Sequence, residues 1–171
     1  MEDQLEEMTP NKVRPTFLTV ICILTFIGSG WGIISGITNY VSADTVGETK
    51  VQMEEAMDDA MDDMDDAEMS EEQLEMVENI IGGFTESITP DNIRNGALVS
   101  IFSCLLTLAG AILMWNLNKK GFYLYILGIA ILIVGMVLVY GGLMGAITAV
   151  GSGFFGVVFI ILYGVNLKEM N

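Results

Sequence analysis

Six aspartates within nine residues form the part of the chain whose side chains could do chemistry. Carboxylate oxygens are the ligands that Ca²⁺ and Mg²⁺ prefer. The sequence lacks the spaced D-x-D-x-D-G loop and the closing glutamate of a tight calcium site. It therefore predicts at most a weak Ca²⁺ or Mg²⁺ site, or a surface for a basic partner. The six are Asp58, Asp59, Asp62, Asp63, Asp65 and Asp66.

Methionines occur in the same acidic tract at helical spacing. Met53, Met57 and Met64 alternate with Ala60 and Ala67 in steps of four and three residues. This spacing places them on one face of an amphipathic helix. Thioether sulfur favours Cu(I), but the chain has no histidine and the tract has no cysteine. An apolar packing face is therefore the favoured interpretation of the methionines.

The aspartates of the tract repel one another if it is helical. Several lie three or four residues apart, and each like-charged pair at that spacing costs about 0.2–0.5 kcal/mol. An isolated helix would melt unless a cation or a basic partner neutralised it. The tract is therefore either a solvated, partly disordered acidic face or a segment that binding orders.

Catalytic groups are hard to assemble from the rest of the chain. Without histidine there is no Ser-His or Cys-His pair. No G-x-S-x-G, Walker or dinucleotide-binding sequence occurs. We expect no enzymatic activity, no cofactor beyond a weakly held Ca²⁺ or Mg²⁺, and no nucleic-acid partner.

Four apolar segments position the acidic tract. Each has about the 20 residues that a helix needs to cross a hydrocarbon core of about 30 Å. None contains Asp, Glu, Lys or Arg. Because backbone groups in lipid must hydrogen-bond within their own segment, the predicted fold is all-α, an integral membrane four-helix bundle. The predicted spans are residues 17–39, 97–117, 122–144 and 148–167.

The segments between the spans complete the predicted organisation. The acidic segment contains 17 Asp and Glu against Lys50 and Arg94, so it carries the whole formal charge of −15. We expect it to form a small acidic helical cap outside the membrane between spans 1 and 2. The two tails, the tight turn and the acidic segment are residues 1–16, 168–171, 118–121 and 40–96.

Two helix starts and one helix end are predicted within the cap. Ser70 and Gln73 have the spacing of a capping box at the start of a short helix. The adjacent glycines Gly82 and Gly83 predict where that helix ends. Thr89 precedes a proline and predicts the N-cap of a helix that continues into the second span.

Basic residues predict the orientation of the chain. An even number of spans places five of the seven Lys and Arg on one side of the membrane. By the positive-inside rule, both termini are then cytoplasmic and the acidic segment is outside. The five are Lys12, Arg14, Lys119, Lys120 and Lys168.

The first span also has to be weighed as a signal peptide. The small residues Val41, Ser42 and Ala43 resemble a cleavage site. The apolar stretch before them is longer than the about 7–15 residues of a usual signal-peptide core, which favours a retained span. Cleavage would leave three spans.

Glycines at four-residue spacing predict helix packing. Gly28, Gly32 and Gly36 follow one another in the first span, and Gly141 and Gly145 lie near the end of the third. Without Cβ atoms, helix backbones approach closely, and dispersion replaces the hydrophobic drive that is missing in lipid. These stripes either pack the helices of one chain or, in the first span, form a homodimer.

RPTFLTVICILTFIGSGWG at the first span and NKKGFYLYILG after the second resemble a group of small four-span bacterial inner-membrane proteins with no assigned function. The resemblance covers roughly residues 13–39 and 97–167. It implies a multi-pass protein in the inner membrane of a diderm bacterium and no activity. It does not extend to the acidic segment and implies nothing about that segment's role.

The favoured function is that of a small structural or accessory membrane protein. Its acidic cap would engage a basic partner or cations, and it would associate with another membrane protein or with itself. The alternative is a metal-handling or cation-conducting protein that gathers cations with its acidic, methionine-rich segment. Conduction is the weaker hypothesis, because ion pathways ordinarily need ionisable residues inside the spans.

Overall fold

The computed structural model describes residues 15–47, 50–52, 55–57, 59 and 70–170. These residues are predominantly helical and contain no strand, as the all-α prediction requires. Short 3₁₀ turns, Ala43–Thr45 and Leu167–Glu169, follow the first and last helices. The α-helices whose bounds the structure describes are α1 (Thr16–Ser42), α2 (Glu71–Ser87), α3 (Pro90–Trp115), α4 (Lys120–Tyr140) and α5 (Gly142–Val165), and the described residues between 46 and 59 are helical as well.

Four of these helices are long and apolar enough to cross a membrane. α1 with its 3₁₀ turn has 30 residues, and α3, α4 and α5 have 26, 21 and 24. At 1.5 Å per residue the shortest is about 31 Å long, which matches the hydrocarbon thickness of a bilayer. The prediction of four membrane-spanning helices is confirmed at this level and suggests a multi-pass protein in a lipid environment.

The helix starts follow their predicted capping residues. At the start of α2, the Ser70 backbone N–H donates to Oε1 of Gln73 at 3.1 Å. At the start of α3, the Asn92 N–H donates to Oγ1 of Thr89 at 3.1 Å, and Pro90 is the first helical residue. Each bond satisfies a backbone donor that a helix N-terminus otherwise leaves without a partner.

The predicted end of α2 is wrong. The helix continues through Gly82 and Gly83 to Ser87. A Cβ on Gly83 would lie 3.6 Å from Cγ of Met144, so this glycine faces the first turns of α5. Gly83 therefore lies at a contact between helices, whereas a C-cap glycine would have adopted the left-handed conformation.

The glycine-rich turn between α4 and α5 is short. Gly141 has φ +64° and Gly142 has φ +45°, a region that residues with a Cβ rarely adopt. The Gly141 N–H donates to the Val137 carbonyl at 2.9 Å, which closes the last turn of α4. α5 therefore begins at Gly142, earlier than the predicted span at residue 148.

Neighbouring spans pack in antiparallel pairs: α1 with α3, α3 with α4, and α4 with α5. Glycine lies at each of these contacts. A Cβ on Gly32 of α1 would lie 2.5 Å from Sγ of Cys104 on α3. A Cβ on Gly153 of α5 would lie 2.6 Å from Cγ1 of Ile133 on α4. The helices therefore approach more closely than larger side chains would permit.

The closest approach joins α3 and α4. A Cβ on Gly110 would lie 2.8 Å from the Gly121 carbonyl oxygen and 2.9 Å from the Tyr125 backbone nitrogen. A Cβ on Gly121 would in turn meet the Gly110 carbonyl oxygen. Since the neighbouring atoms are backbone, they cannot move aside as a flexible side chain can. The two backbones are in direct contact.

A buried core closes the end of the molecule where α1 and α4 begin. We call this the basic end, because Lys119, Lys120 and Lys168 lie there, and the opposite end, which carries α2, the acidic end. The core combines aliphatic, thiol and aromatic side chains from all four spans. Its fully buried members include Leu18, Ile21, Cys22, Met114 and Tyr163.

We predict that Gly110→Ala destabilises the protein and that Gly151→Ala does not. The methyl group at residue 110 meets backbone atoms and should cost about 1–3 kcal/mol of unfolding free energy. A Cβ at Gly151 meets nothing within 4 Å, so alanine there should be neutral or, by helix propensity, stabilising by up to about 1 kcal/mol. Unfolding of the purified protein in detergent measures both, and equal losses of stability would contradict the close contact.

Candidate functional site

The structure describes a small part of the acidic tract. Asp59 is helical and solvent-exposed. No group of three or more His, Cys, Asp or Glu side chains that could hold a metal occurs among the described residues. The other five candidate aspartates, Asp58, Asp62, Asp63, Asp65 and Asp66, lie outside the described residues. Of the methionine stripe, Met53 and Met64 also lie outside them.

Carboxylates on α2 enlarge the acidic surface beyond the six aspartates. Glu72, Glu75 and Glu78 follow one another at three-residue steps and are solvent-exposed, as is Glu86 near the helix end. Within the described ranges, none of the four takes part in an ion pair. One flank of α2 therefore presents negative charge to solvent.

Met57 connects the acidic tract to α2. The hydroxyl of Thr85, which is buried, donates to Sδ of Met57 at 3.7 Å. A thioether is a weak acceptor, so this contact is mainly packing. It places the segment around residue 57 against the last two turns of α2.

An ion pair joins the end of α1 to the start of α3. Nη2 of Arg94 lies 2.7 Å from both carboxylate oxygens of Asp44. Both side chains reach solvent, and such a surface pair contributes about 0–1 kcal/mol. Its main consequence is that the guanidinium of Arg94 is held within the chain.

Hydroxyl groups form hydrogen bonds between the spans. These bonds tie α1 to α5, α1 to α3 and α3 to α4, and sequence reasoning missed them as a group. In lipid, water cannot satisfy such groups, so each buried hydroxyl needs a protein partner. The three bonds are Thr25–Tyr163 at 2.8 Å, Ser29–Thr107 at 3.1 Å, and Ser103 Oγ to the Gly128 carbonyl at 2.9 Å.

The five glycines predicted to pack helices have different surroundings. Gly32 and Gly36 face α3, and Gly145 faces the Val137 carbonyl in the last turn of α4. Gly141 forms the turn between α4 and α5. A Cβ on Gly28 would meet nothing within 4 Å.

A cavity of about 440 Å³ lies at the acidic end, between the end of α1, α2 and the adjoining turns of α3, α4 and α5. We call it the acidic-end cavity. Its lining is mostly apolar and contains no charged side chain. Its polar lining residues include Asn39, Ser42, Tyr140 and Thr148.

A second cavity, of about 210 Å³, lies one helical turn nearer the middle of the spans. We call it the central cavity. Gly28 lines it, and the exposed side chains of Leu24 on α1 and Phe155 on α5 stand at its rim. Five of its hydroxyl groups already have hydrogen-bond acceptors or donors in the protein: those of Thr25, Ser29, Ser103, Thr107 and Ser152.

Comparison of the chain with protein-family models, curated proteins and solved structures finds no match. The candidate site is therefore defined by this chain's own geometry. Two regions qualify: the exposed carboxylate surface at the acidic end, and the pair of cavities between that end and the middle of the spans.

We predict that the Thr25–Tyr163 hydrogen bond couples α1 to α5 energetically. In a double-mutant cycle of Thr25→Val and Tyr163→Phe, each substitution removes a hydroxyl and little volume. The coupling energy should be about 0.6 kcal/mol and should not exceed about 1.7 kcal/mol, as for other hydrogen bonds between membrane helices.

Thr38→Val provides the matched control, because the Thr38 hydroxyl donates within its own helix, to the Ile34 carbonyl. Combined with Tyr163→Phe, it should show no coupling. Additive losses in the Thr25 cycle, measured by reversible unfolding in mixed micelles, would mean that the two hydroxyls do not support one another.

Proposed function

We propose that this chain is a small structural or accessory protein of the bacterial inner membrane. Its acidic segment, outside the membrane, would act as an electrostatic receptor for a basic partner. The observation that carries the proposal is the separation of charge: 17 acidic residues lie in residues 40–96, and none lies in the four apolar segments 17–39, 97–117, 122–144 and 148–167. The partner would be another membrane protein or a basic segment presented by one.

Exposed carboxylates support the receptor role. The four exposed glutamates of α2 have no ion-pair partner among the described residues, whereas Arg94 is held by Asp44. The negative charge of these four glutamates is therefore available to another molecule. A concentrated surface charge attracts basic surfaces and speeds their encounter.

The arrangement we propose is a four-helix bundle with an acidic helical cap. The antiparallel contacts between successive spans and the Thr25–Tyr163 bond support the bundle. The contacts of Gly83 with Met144 and of Thr85 with Met57 support a cap that rests on α5. The cap is too small to be stable alone and would depend on the bundle.

The proposed orientation places the basic end in the cytoplasm. Lys119, Lys120 and Lys168 lie at that end, and the positive-inside rule then puts α2 outside. This side is where a basic partner would have to be found.

We predict that a cysteine at Ser70 is labelled from outside the cell and that a cysteine at Asn118 is not. The background carries Cys22→Ala and Cys104→Ala, so that no other thiol reacts. An impermeant maleimide on intact cells, with outer-membrane permeabilisation, should modify Ser70→Cys alone. After cell lysis it should modify both. Protection of Ser70→Cys from the maleimide in intact cells would mean that the proposed orientation is wrong.

We predict that association with a basic partner depends on the six aspartates and weakens with salt. Exposed charges are screened over about 8 Å at physiological ionic strength, so binding should fall steeply as salt rises. Asparagine at all six positions should abolish the salt-sensitive part of binding. Pull-down with mass spectrometry identifies the partner, and titration with a lysine-rich peptide measures the salt dependence.

The chain offers a matched control on the opposite side of the membrane. The five acidic residues outside the acidic segment are Glu2, Asp3, Glu6, Glu7 and Glu169. Neutralising these five should leave binding unchanged, although the change in net charge is nearly the same. If both sets of substitutions weaken binding equally, net charge and not the acidic segment is responsible. A saturable, ion-selective response of the full chain to micromolar Ca²⁺ or Mg²⁺ would instead support cation handling.

A further inference from the structure

We propose that the two cavities form one binding site for an uncharged amphiphile from the bilayer, with a single apolar chain and a head of hydroxyl or carbonyl oxygens. The head would occupy the acidic-end cavity and the chain the central cavity. This site is independent of the acidic receptor surface.

The cavities are stacked along the same three helices. On each of these helices the nearest lining residues of the two cavities lie about one turn, or about 6 Å, apart, whereas on α1 the nearest pair is Ser29 and Asn39, about 15 Å apart. Such residues are Ser100 and Cys104 on α3, and Thr148 and Ser152 on α5. On α4 the residues are Met136 and Leu132. A single elongated molecule could therefore pass from one cavity into the other.

The site is closed at the basic end and open toward the surface of the spans. The Thr25–Tyr163 hydrogen bond and the fully buried Tyr163 join α1 to α5 below the central cavity. Above that bond, Phe155 at the rim is 70% exposed, so the gap between α1 and α5 reaches the surrounding solvent. For spans embedded in lipid that solvent is acyl chain, which makes the bilayer the source of the ligand.

Hydrogen bonding distinguishes the two cavities. The side chains of Tyr140, Asn39 and Thr148 line the acidic-end cavity and take part in no hydrogen bond with any residue that the structure describes. They can donate to and accept from oxygen atoms of a head group. In the central cavity the hydroxyls of Thr25, Ser29, Ser103, Thr107 and Ser152 are already paired, and the Tyr125 hydroxyl hydrogen-bonds with Thr25, which leaves an effectively apolar surface for a chain.

Charge and length define the ligand further. No Lys, Arg, Asp or Glu lines either cavity, so a charged head would be desolvated without a counter-ion. The acidic segment would additionally repel an anionic head.

The length of the site limits the ligand as well. Thr25 and Asn39 lie fourteen residues apart on α1, about 21 Å along the helix. That distance exceeds the about 15 Å of hydrocarbon in one leaflet, so the site has the length of an extended acyl chain, of which the central cavity of about 210 Å³ holds only a part.

Photo-crosslinking of the full chain in phosphatidylcholine nanodiscs tests the proposal. The probe is a monoacylglycerol with a diazirine on its acyl chain. Labelling should be saturable and should map to α1, α3 and α5 around the central cavity. Unlabelled 1-oleoylglycerol should compete, whereas 1-oleoyl-lysophosphatidylcholine, with the same chain and a charged head, should not.

Glycine substitutions on α1 provide a matched pair. Gly28 lines the central cavity and Gly30 does not, and a Cβ on either would meet nothing within 4 Å. Gly28→Leu should fill the central cavity and reduce saturable labelling at least about fivefold, whereas Gly30→Leu should leave it unchanged. Tyr140→Phe keeps the ring beside Gly96 but removes the hydroxyl that would bind the head group. Competition by unlabelled 1-oleoylglycerol should therefore weaken about two- to tenfold in this variant.

Three results would overturn the proposal: labelling that does not saturate, equal labelling of the two leucine variants, or equal competition by the two unlabelled lipids. If Gly28→Leu failed to fold, Tyr140→Phe would still decide the outcome. Unchanged competition in that variant would exclude Tyr140 from a head-group site and contradict the assignment of the acidic-end cavity.

Discussion

Direct contact between helix backbones is the constraint on which the rest of the structure depends. Lipid chains are as apolar as leucine, so burying leucine between two spans gains little, and close packing has to hold the helices together. Gly110 and Gly121 bring the backbones of α3 and α4 into contact, and Gly32 and Gly153 serve the neighbouring pairs. Hydroxyl bonds such as Ser29–Thr107 then join the helices where the approach is close enough.

These contacts are distributed unevenly along the spans. The basic end is closed by a buried core that includes Leu18, Cys22 and Tyr163. At the acidic end the acidic-end cavity lies between α1 and α5, and Phe84 of α2 and Ile88, which follows α2, cover it. The same asymmetry places the acidic-end cavity among the helix ends and the carboxylates on the helix above it, while the central cavity lies at mid-span.

The sequence predicted those features that depend on local composition. Apolar length predicted the four spans, and the side chains of Gln73 and Thr89 predicted two helix starts, because capping needs only neighbours in sequence. It failed where a tertiary contact decides the outcome. Gly82 and Gly83 look like a helix end, but α2 continues through them to Ser87, where Gly83 faces Met144 of α5.

The sequence predicts the charge of the candidate site but not its shape. Spacing alone could not distinguish Gly28, which borders a cavity, from Gly32, which packs against Cys104. One feature of the sequence could have indicated the hydrogen bonds between helices. Thr25 and Ser29 lie four residues apart on one helix face, and so do Ser103 and Thr107. Their partners on other helices depend on packing that one sequence does not reveal.

Fluorescence of the two tryptophans tests whether the glycine face of α1 packs inward while its opposite face meets lipid. Trp31 is 71% exposed beside the glycines, whereas Trp115 packs against Phe26 with ring centroids 5.6 Å apart. In bilayers of lipids brominated along their acyl chains, single-tryptophan variants Trp115→Phe and Trp31→Phe isolate each fluorophore. The brominated lipid should strongly quench the fluorescence of Trp31 and quench that of Trp115 much less. A Trp31 that brominated lipid does not quench would contradict it.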